Sequence, residues 1–414
     1  VKPIFVLAPV LVSSLVSAAA AFAQVDVTQA GTGQAGASVQ QPSGDTAMQR
    51  DFHNPSDADL QLRLQRIDAM VNDRMQALNM VGYSLTIIRG GKVVFQKPYG
   101  FQNLETRQPA TNDTIFGLGS LTKTFTAIAL LSLVDKGLIG LEDPLSKYID
   151  GLTPDYKSLT IRQLASMTAG VPEKLSQEVA WRQQLEILDH TPLVSQPGTA
   201  FLYSNYSYRL LGSVIEKAAG QPYLQVVESV VCAPLNMRST GSTTLLQPTG
   251  RVAQAYGDNM GKGPLRPIEY KNPAVQFSAG MLGSSSNDLI NYVCGLMNHQ
   301  ILSPQSFKVL WDYRPPLATG QPSKWAFGWA KMHNPRINNQ LALSMNGGVP
   351  GVASSIIILP ESNSAIIAMS NLRKPPVYQI AKLAAAMAFA DGVSAENAEE
   401  LPVDGEEHSG ASAD

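Results

Sequence analysis

Residues 57–80 carry apolar side chains at helical spacing, Leu60, Leu64, Ile67, Met70, Val71, Met75 and Leu78 among them. That pattern predicts an amphipathic helix. The period then becomes strand-like. Residues 82–88 and 92–96 flank Arg89-Gly90-Gly91, and two glycines between β-rich runs predict a hairpin. From 121 to about 136 the chain is apolar almost all round (Phe125, Ile128, Leu130, Leu131, Leu133, Val134), which predicts a buried helix stopped at Gly137. Between 140 and 300 helices dominate: a short one ended at Gly170, then 206–219, 223–231, and one to about 298 capped by Ser286-Asn287-Asp288. The strand period returns at 325–331, 340–345, 353–359 and 364–369, with a turn at 361–364 and a last helix over 377–390.

Strands at both ends and helices between them predict an α+β fold. The ends share one antiparallel sheet flanked by helices, and the middle forms a mostly helical lobe. The sheet lobe takes about 57–140 and 310–390, the helical lobe about 141–309. A cleft between them would hold the residues that open the buried helix.

Those residues are Ser120-Leu121-Thr122-Lys123. A hydroxyl and an amine three positions apart share one helix face. Gly117 and Gly119 allow a tight turn just before the serine. By itself Ser-x-x-Lys is commonly a helix cap and a surface lysine. Here the lysine starts a helix with no polar face, and burial lowers an amine from its free value of about 10.4. A neutral lysine can take a proton from a serine hydroxyl, which makes an activated nucleophile.

Composition narrows the setting. The 414 residues are 44% hydrophobic and 15% charged, enough for a substantial core, and the net charge of −2 offers nothing to nucleic acid. Lys2, the apolar run 4–20 and Ala21-Phe22-Ala23 read as a cleavable signal peptide over 1–23, cut after Ala23. The expectation is a periplasmic or secreted protein with no stable membrane span after cleavage. Residues 24–56, rich in Gly, Ala, Gln and Ser, read as a flexible linker. The tail 391–414 has eight acids and no Lys or Arg and reads as disordered. The two cysteines, Cys232 and Cys294, could pair in an exported protein or stay as buried thiols. The five histidines show no metal-ligand spacing, so neither a metal site nor a cofactor is expected.

Over roughly residues 60–390 the chain resembles the serine β-lactamase and penicillin-binding-protein superfamily, in its class C-like branch with DD-peptidase, D-aminopeptidase and esterase relatives. Gly119-Ser120-Leu-Thr-Lys123 resembles the nucleophile motif. Leu202-Tyr203-Ser204-Asn205 resembles the Tyr-x-Asn motif, Pro234-Leu-Asn-Met237 a Pro-Leu-x-Met segment, and residues 280–289 the loop before a late helix. Gly347-Gly-Val-Pro-Gly351 resembles the third-motif strand and turn. The resemblance implies a β-lactamase/transpeptidase-like fold and an acyl-enzyme on Ser120. Lys123 and Tyr203 would share the proton work, a phenol beside an ammonium being lowered in pKa. Which of them is the base stays open. Asn205 would bond Lys123 or a substrate amide. The N–H groups of Ser120 and Gly348 would form the oxyanion hole. Asn346, Gly347 and Arg373 would meet the substrate, a small molecule or peptide with an acyl group.

One departure bears on substrate. The third motif of this superfamily begins with Lys or His; here it reads Met345-Asn346-Gly347. Methionine attracts no carboxylate, and losing that contact would cost on the order of 1.5–3 kcal/mol. Either the substrates are simple esters or amides without a carboxylate, or Arg373 or Lys374 supplies the cation. Met167 stands where relatives often have histidine, a change expected to concern packing. The resemblance therefore implies an exported serine hydrolase of β-lactams, D-amino-acid peptides or esters. The rivals are an esterase-type relative without β-lactamase activity and a non-hydrolysing penicillin-binding sensor.

Overall fold

The computed structural model describes residues 57–173, 179–257, 263–270, 272–373 and 376–390. The expected signal peptide, linker, acidic tail and Lys374 lie outside the described residues.

Helix α1 spans Asp57–Ala77. Strands β1 (Gly82–Arg89) and β2 (Lys92–Asn103) follow as the expected hairpin, β2 running well past the expected end at Gln96. Gly90 and Gly91 both have positive φ, +55° and +75°, as a two-residue turn matched to strand twist requires. A two-residue strand β3 (Gln108–Pro109) borders β2. The buried helix is α2, Thr122–Asp135. In the middle region α3 (Ile161–Ala165) starts from a Thr160–Gln163 capping box, and α4 spans Asn205–Ala219. Helices α5 (Ser286–Met297) and α6 (Pro304–Asp312) follow.

The late strands are β4 (Ala330–Asn334), β5 (Gln340–Val349), β6 (Val352–Leu359) and β7 (Ser364–Ser370), and α7 is Pro376–Phe389. Among the described residues the principal sheet has seven strands in the order β3-β2-β1-β7-β6-β5-β4. Its neighbours pair antiparallel, so the first hairpin closes directly on the last strand, with Leu85 opposite Ala368.

Strands β6 and β7 are buried throughout, and alternation divides their side chains between two cores. Ile357, Leu359, Ile366 and Ala368 face α1 and α7; Ile356, Ile358, Ile367 and Met369 face the helical region. This explains why they read as continuous apolar runs. Helix α2 packs among the helices, against α4 and α6, and is buried from Thr122 to Leu133. Each of its large apolar side chains contributes roughly 1.5–3 kcal/mol on burial.

The run 325–331 is not the expected strand. Ala326 N–H bonds Trp329 O at 2.7 Å in a tight turn, and strand structure begins only at Ala330. Gly328 causes this: its φ is +81°, and a β-carbon there would lie 3.0 Å from Lys123 O. The turn is pressed against the start of α2. Both cysteines are free thiols. Among the described residues no helix is long and apolar enough to cross a membrane.

Candidate active site

Ser120 is held from both sides. Phe116–Gly117 pairs with Leu282–Ser284, which pairs with Gly241–Ser242. Leu118 continues the attachment, donating its N–H to Leu282 O at 2.8 Å, while its own carbonyl accepts from Ser354 Oγ on β6 at 2.7 Å. Gly119 then turns with φ +51°. Residues Gly119–Leu121 form one 3-10 turn that runs straight into α2. The serine is half-buried between buried neighbours, on backbone fixed from both sides.

Lys123 is fully buried. Its Nζ lies 2.6 Å from Asn205 Oδ1, 3.0 Å from Ala279 O and 3.0 Å from Ser120 Oγ. Two of these partners can only accept. A neutral amine has two N–H groups and one lone pair, so the two acceptors take both N–H groups and the lone pair is left for the Ser120 hydroxyl. Burial lowers this amine to about 7; the Glu173 charge opposes the shift and the Arg209 charge adds to it.

Tyr203 donates its hydroxyl to Ser120 Oγ at 2.8 Å. The chain reaches it through an irregular stretch fixed by Leu202 N–H on Met167 O, 2.9 Å. Its ring packs edge-on against Trp325 at 5.8 Å. Burial pushes this phenol up, not down, and the Glu173 charge pushes the same way. The shift therefore runs opposite to the lowering expected beside an ammonium, because desolvation governs the phenol. Both candidates left open by the sequence, the Lys123 amine and the Tyr203 hydroxyl, lie within hydrogen-bond distance of Ser120 Oγ. Met167 is fully buried, in a packing role.

Asn205 is the first residue of α4. The cap is Ser204, which accepts from Ser207 N–H, so Asn205 is free to turn inward. Its Oδ1 accepts from Lys123 Nζ.

The third-motif strand approaches the nucleophile through glycines. A β-carbon on Gly347 would fall 1.8 Å from Leu118 O, and one on Gly119 would fall 2.8 Å from Gly348 N. This packing sets Gly348 against Gly119, the residue before Ser120; Ser120 and Gly348 are the two expected oxyanion donors. Met345 shares the Gly347 face by strand alternation and is buried in the helical-side core. Asn346 lies on the other face and accepts from Ser355 Oγ at 2.8 Å, so its side chain is engaged within the sheet. Arg373 is exposed, and its Nε would be 3.4 Å from a β-carbon on Gly348. It therefore lies near Gly348, on the side toward which a Gly348 β-carbon would point. Tyr378, absent from the sequence reading, donates to Gly347 O at 2.8 Å.

Two more residues were missed. Glu173 accepts from Asn205 N–H at 2.6 Å and from Asn205 Nδ2–H. Burial raises its carboxyl, while the Asn205 bonds and the charges of Lys123 and Arg209 hold it down. Arg209 on α4 is buried, donates to Gln184 Oε1 at 2.6 Å and stacks over Tyr206. The sequence signal for Glu173 was an acid directly after the apolar Ala169-Gly-Val-Pro172. For Arg209 it was a cation on the apolar face of its helix.

Protein flp of Staphylococcus aureus strain MW2 is 28% identical over 334 residues, which are 76% of this chain and 64% of that protein's length. This chain therefore matches somewhat less than two thirds of that relative. The octameric penicillin-binding protein homologue from Pyrococcus abyssi superimposes with a TM-score of 0.71 at 25% identity, over 78% of this chain and 76% of that one. A class C β-lactamase mutant superimposes with a TM-score of 0.69 at 19% identity, over 81% of this chain and 99% of that one, and so shares the fold. The beta-lactamase family model matches residues 67–390, and the chain belongs to that family.

Proposed function

We propose that the protein is a serine acyl hydrolase. Ser120 Oγ attacks an acyl carbonyl as its proton passes to Lys123 Nζ. The oxyanion forms against the N–H groups of Ser120 and Gly348. Tyr203 and Lys123 return protons to the leaving group, and water then releases the acyl group. The observation that carries this reading is the contact set of Lys123, whose obligate acceptors leave its lone pair on the nucleophile. Export to the periplasm or medium remains part of the reading and rests on residues 1–23 alone.

Intact-mass spectrometry of the protein with a penicillin and with a p-nitrophenyl ester tests the proposal, with Ser120→Ala as control. The expected result is Ser120-dependent acylation or turnover of at least one donor. Inertness of folded protein toward both would overturn it.

Among acyl substrates, Met345 favours those without a carboxylate. The placement of Arg373 beside Gly348 favours a second reading, in which a guanidinium from outside the motif receives a carboxylate of a β-lactam or D-amino-acid peptide.

A further inference from the structure

Glu173 belongs to none of the motifs, yet it closes the network that begins at Ser120. Its two carboxylate oxygens accept from the main-chain and side-chain nitrogens of Asn205. A carboxylate can only accept, and an amide has a donor end and an acceptor end. With Nδ2 committed to Glu173, Asn205 must present Oδ1 to Lys123. If the amide were reversed, Nδ2–H would point at the amine and take its lone pair. The Ser120 proton would then have no acceptor.

We propose that Glu173 is a positioning residue for the nucleophile: it fixes the Asn205 amide so that the lone pair of neutral Lys123 meets the Ser120 hydroxyl, and its negative charge counters the burial of that amine. This rests on the acyl-hydrolase reading for its consequence in catalysis. The step is balanced within the site: the Oγ–carbon bond forms, the carbonyl π-pair moves to oxygen, and the hydroxyl proton moves to Nζ.

The charged and titratable groups around the pair come from several elements. Lys123 on α2 is faced by Glu173 from the loop after α3, by Arg209 and Tyr208 from α4, and by Tyr203. Glu173 is faced by Lys123 and Arg209, with Asn205 between it and the amine. Arg209 offsets the Glu173 charge, so an anion near the lysine does not force the lysine to remain an ammonium. Tyr203 and Tyr208 are held in the neutral form by burial. Removing the Glu173 charge therefore leaves Lys123 facing Arg209 uncompensated.

The test is a pH titration of Lys123 by NMR on the full chain labelled with 13Cε-lysine, the signal assigned by its loss in Lys123→Met. In Glu173→Gln the Lys123 midpoint is expected to fall by roughly one pH unit. Glu173→Asp, which keeps the charge, should leave the midpoint near that of the wild type. It should slow p-nitrophenyl ester acylation because the shorter carboxylate no longer spans both Asn205 nitrogens. An unmoved midpoint in folded Glu173→Gln would overturn the proposal, as would unchanged acylation in both variants. A wild type inert to acyl donors refutes the hydrolase reading instead, and the titration still decides whether Glu173 governs Lys123.

Discussion

Gly119 and Gly348 lie so close that a β-carbon on the first would stand 2.8 Å from the backbone nitrogen of the second. Gly119 also has a φ of +51°. Gly119→Ala therefore strains its own backbone by roughly 1–2 kcal/mol and pushes the Gly348 N–H away from Ser120. Loss of one oxyanion donor costs about 10²–10³-fold in rate. The expected result is a fall of that size in ester acylation, with a far-ultraviolet spectrum unchanged and a modestly lower melting temperature. Wild-type acylation in this variant would remove Gly348 from the oxyanion hole.

The pH profile follows from Lys123, lowered to about 7 by burial. As base the amine must be neutral, so acylation is slow below its midpoint and rises as pH climbs through about 7. Folding runs in the same direction. Between about 7 and its ordinary value the unfolded lysine holds a proton that the folded one lacks, so stability contributed by this group rises with pH over that window and is absent below it. Rate measurements between pH 5 and 9, with melting followed in parallel, check both. An acid limb that survives in Lys123→Met would assign it to another group.

Tyr203→Phe separates the two candidate bases. The phenol is held protonated by burial and donates to Ser120 Oγ at 2.8 Å. Removing it should lower kcat by about 10²–10⁴-fold, the range for a lost acid–base partner. The acid limb near pH 7 should remain, because Lys123 still produces it. Disappearance of that limb would make the tyrosine the base.

What the sequence revealed divides along physical lines. The Ser120–Lys123 pair and the burial of α2 were legible because both are local: a glycine turn, a three-residue spacing and a helix with no polar face. The sheet was legible because β1, β2 and the late strands keep their period or their continuous apolar runs. The stretch 325–331 misled because its alternation is strand-like, while the positive φ of Gly328 turns it onto Lys123. Glu173 was invisible because its partner, Asn205, is 32 positions away and is reached only through the fold. The direction of the Tyr203 shift was misjudged because spacing shows a neighbouring charge but not the depth of burial.

Tyr378 and Gly348 make a coupled pair. The Tyr378 hydroxyl donates to Gly347 O at 2.8 Å and would lie 2.5 Å from a β-carbon on Gly348. In a trans peptide the Gly347 carbonyl and the Gly348 N–H point opposite ways, so this bond helps hold the N–H toward the cleft. Tyr378→Phe should cost about 1 kcal/mol of transition-state stabilisation, or about fivefold in kcat/KM. Gly348→Ala should cost more, because the new methyl meets the hydroxyl. The double variant should be better than the sum of the two single losses. Additive losses would mean that the two residues act separately.

Arg373 decides whether the missing third-motif cation has been replaced. Met345 is buried in the core and offers no charge, while the Arg373 side chain lies beside Gly348, its Nε 3.4 Å from where a β-carbon there would stand. A guanidinium bonded to a carboxylate contributes about 1.5–3 kcal/mol. Because Arg373 is exposed, solvent screening favours the lower end, about tenfold in KM. The measurement compares two acyl donors of equal leaving group, one with a carboxylate beside the scissile carbonyl and one without. Arg373→Ala should raise KM about tenfold for the first, with kcat little changed, and leave the second nearly untouched. Equal effects on both donors would mean that the arginine shapes the site without reading the carboxylate. Substrates lacking that group would then be the ones that suit Met345.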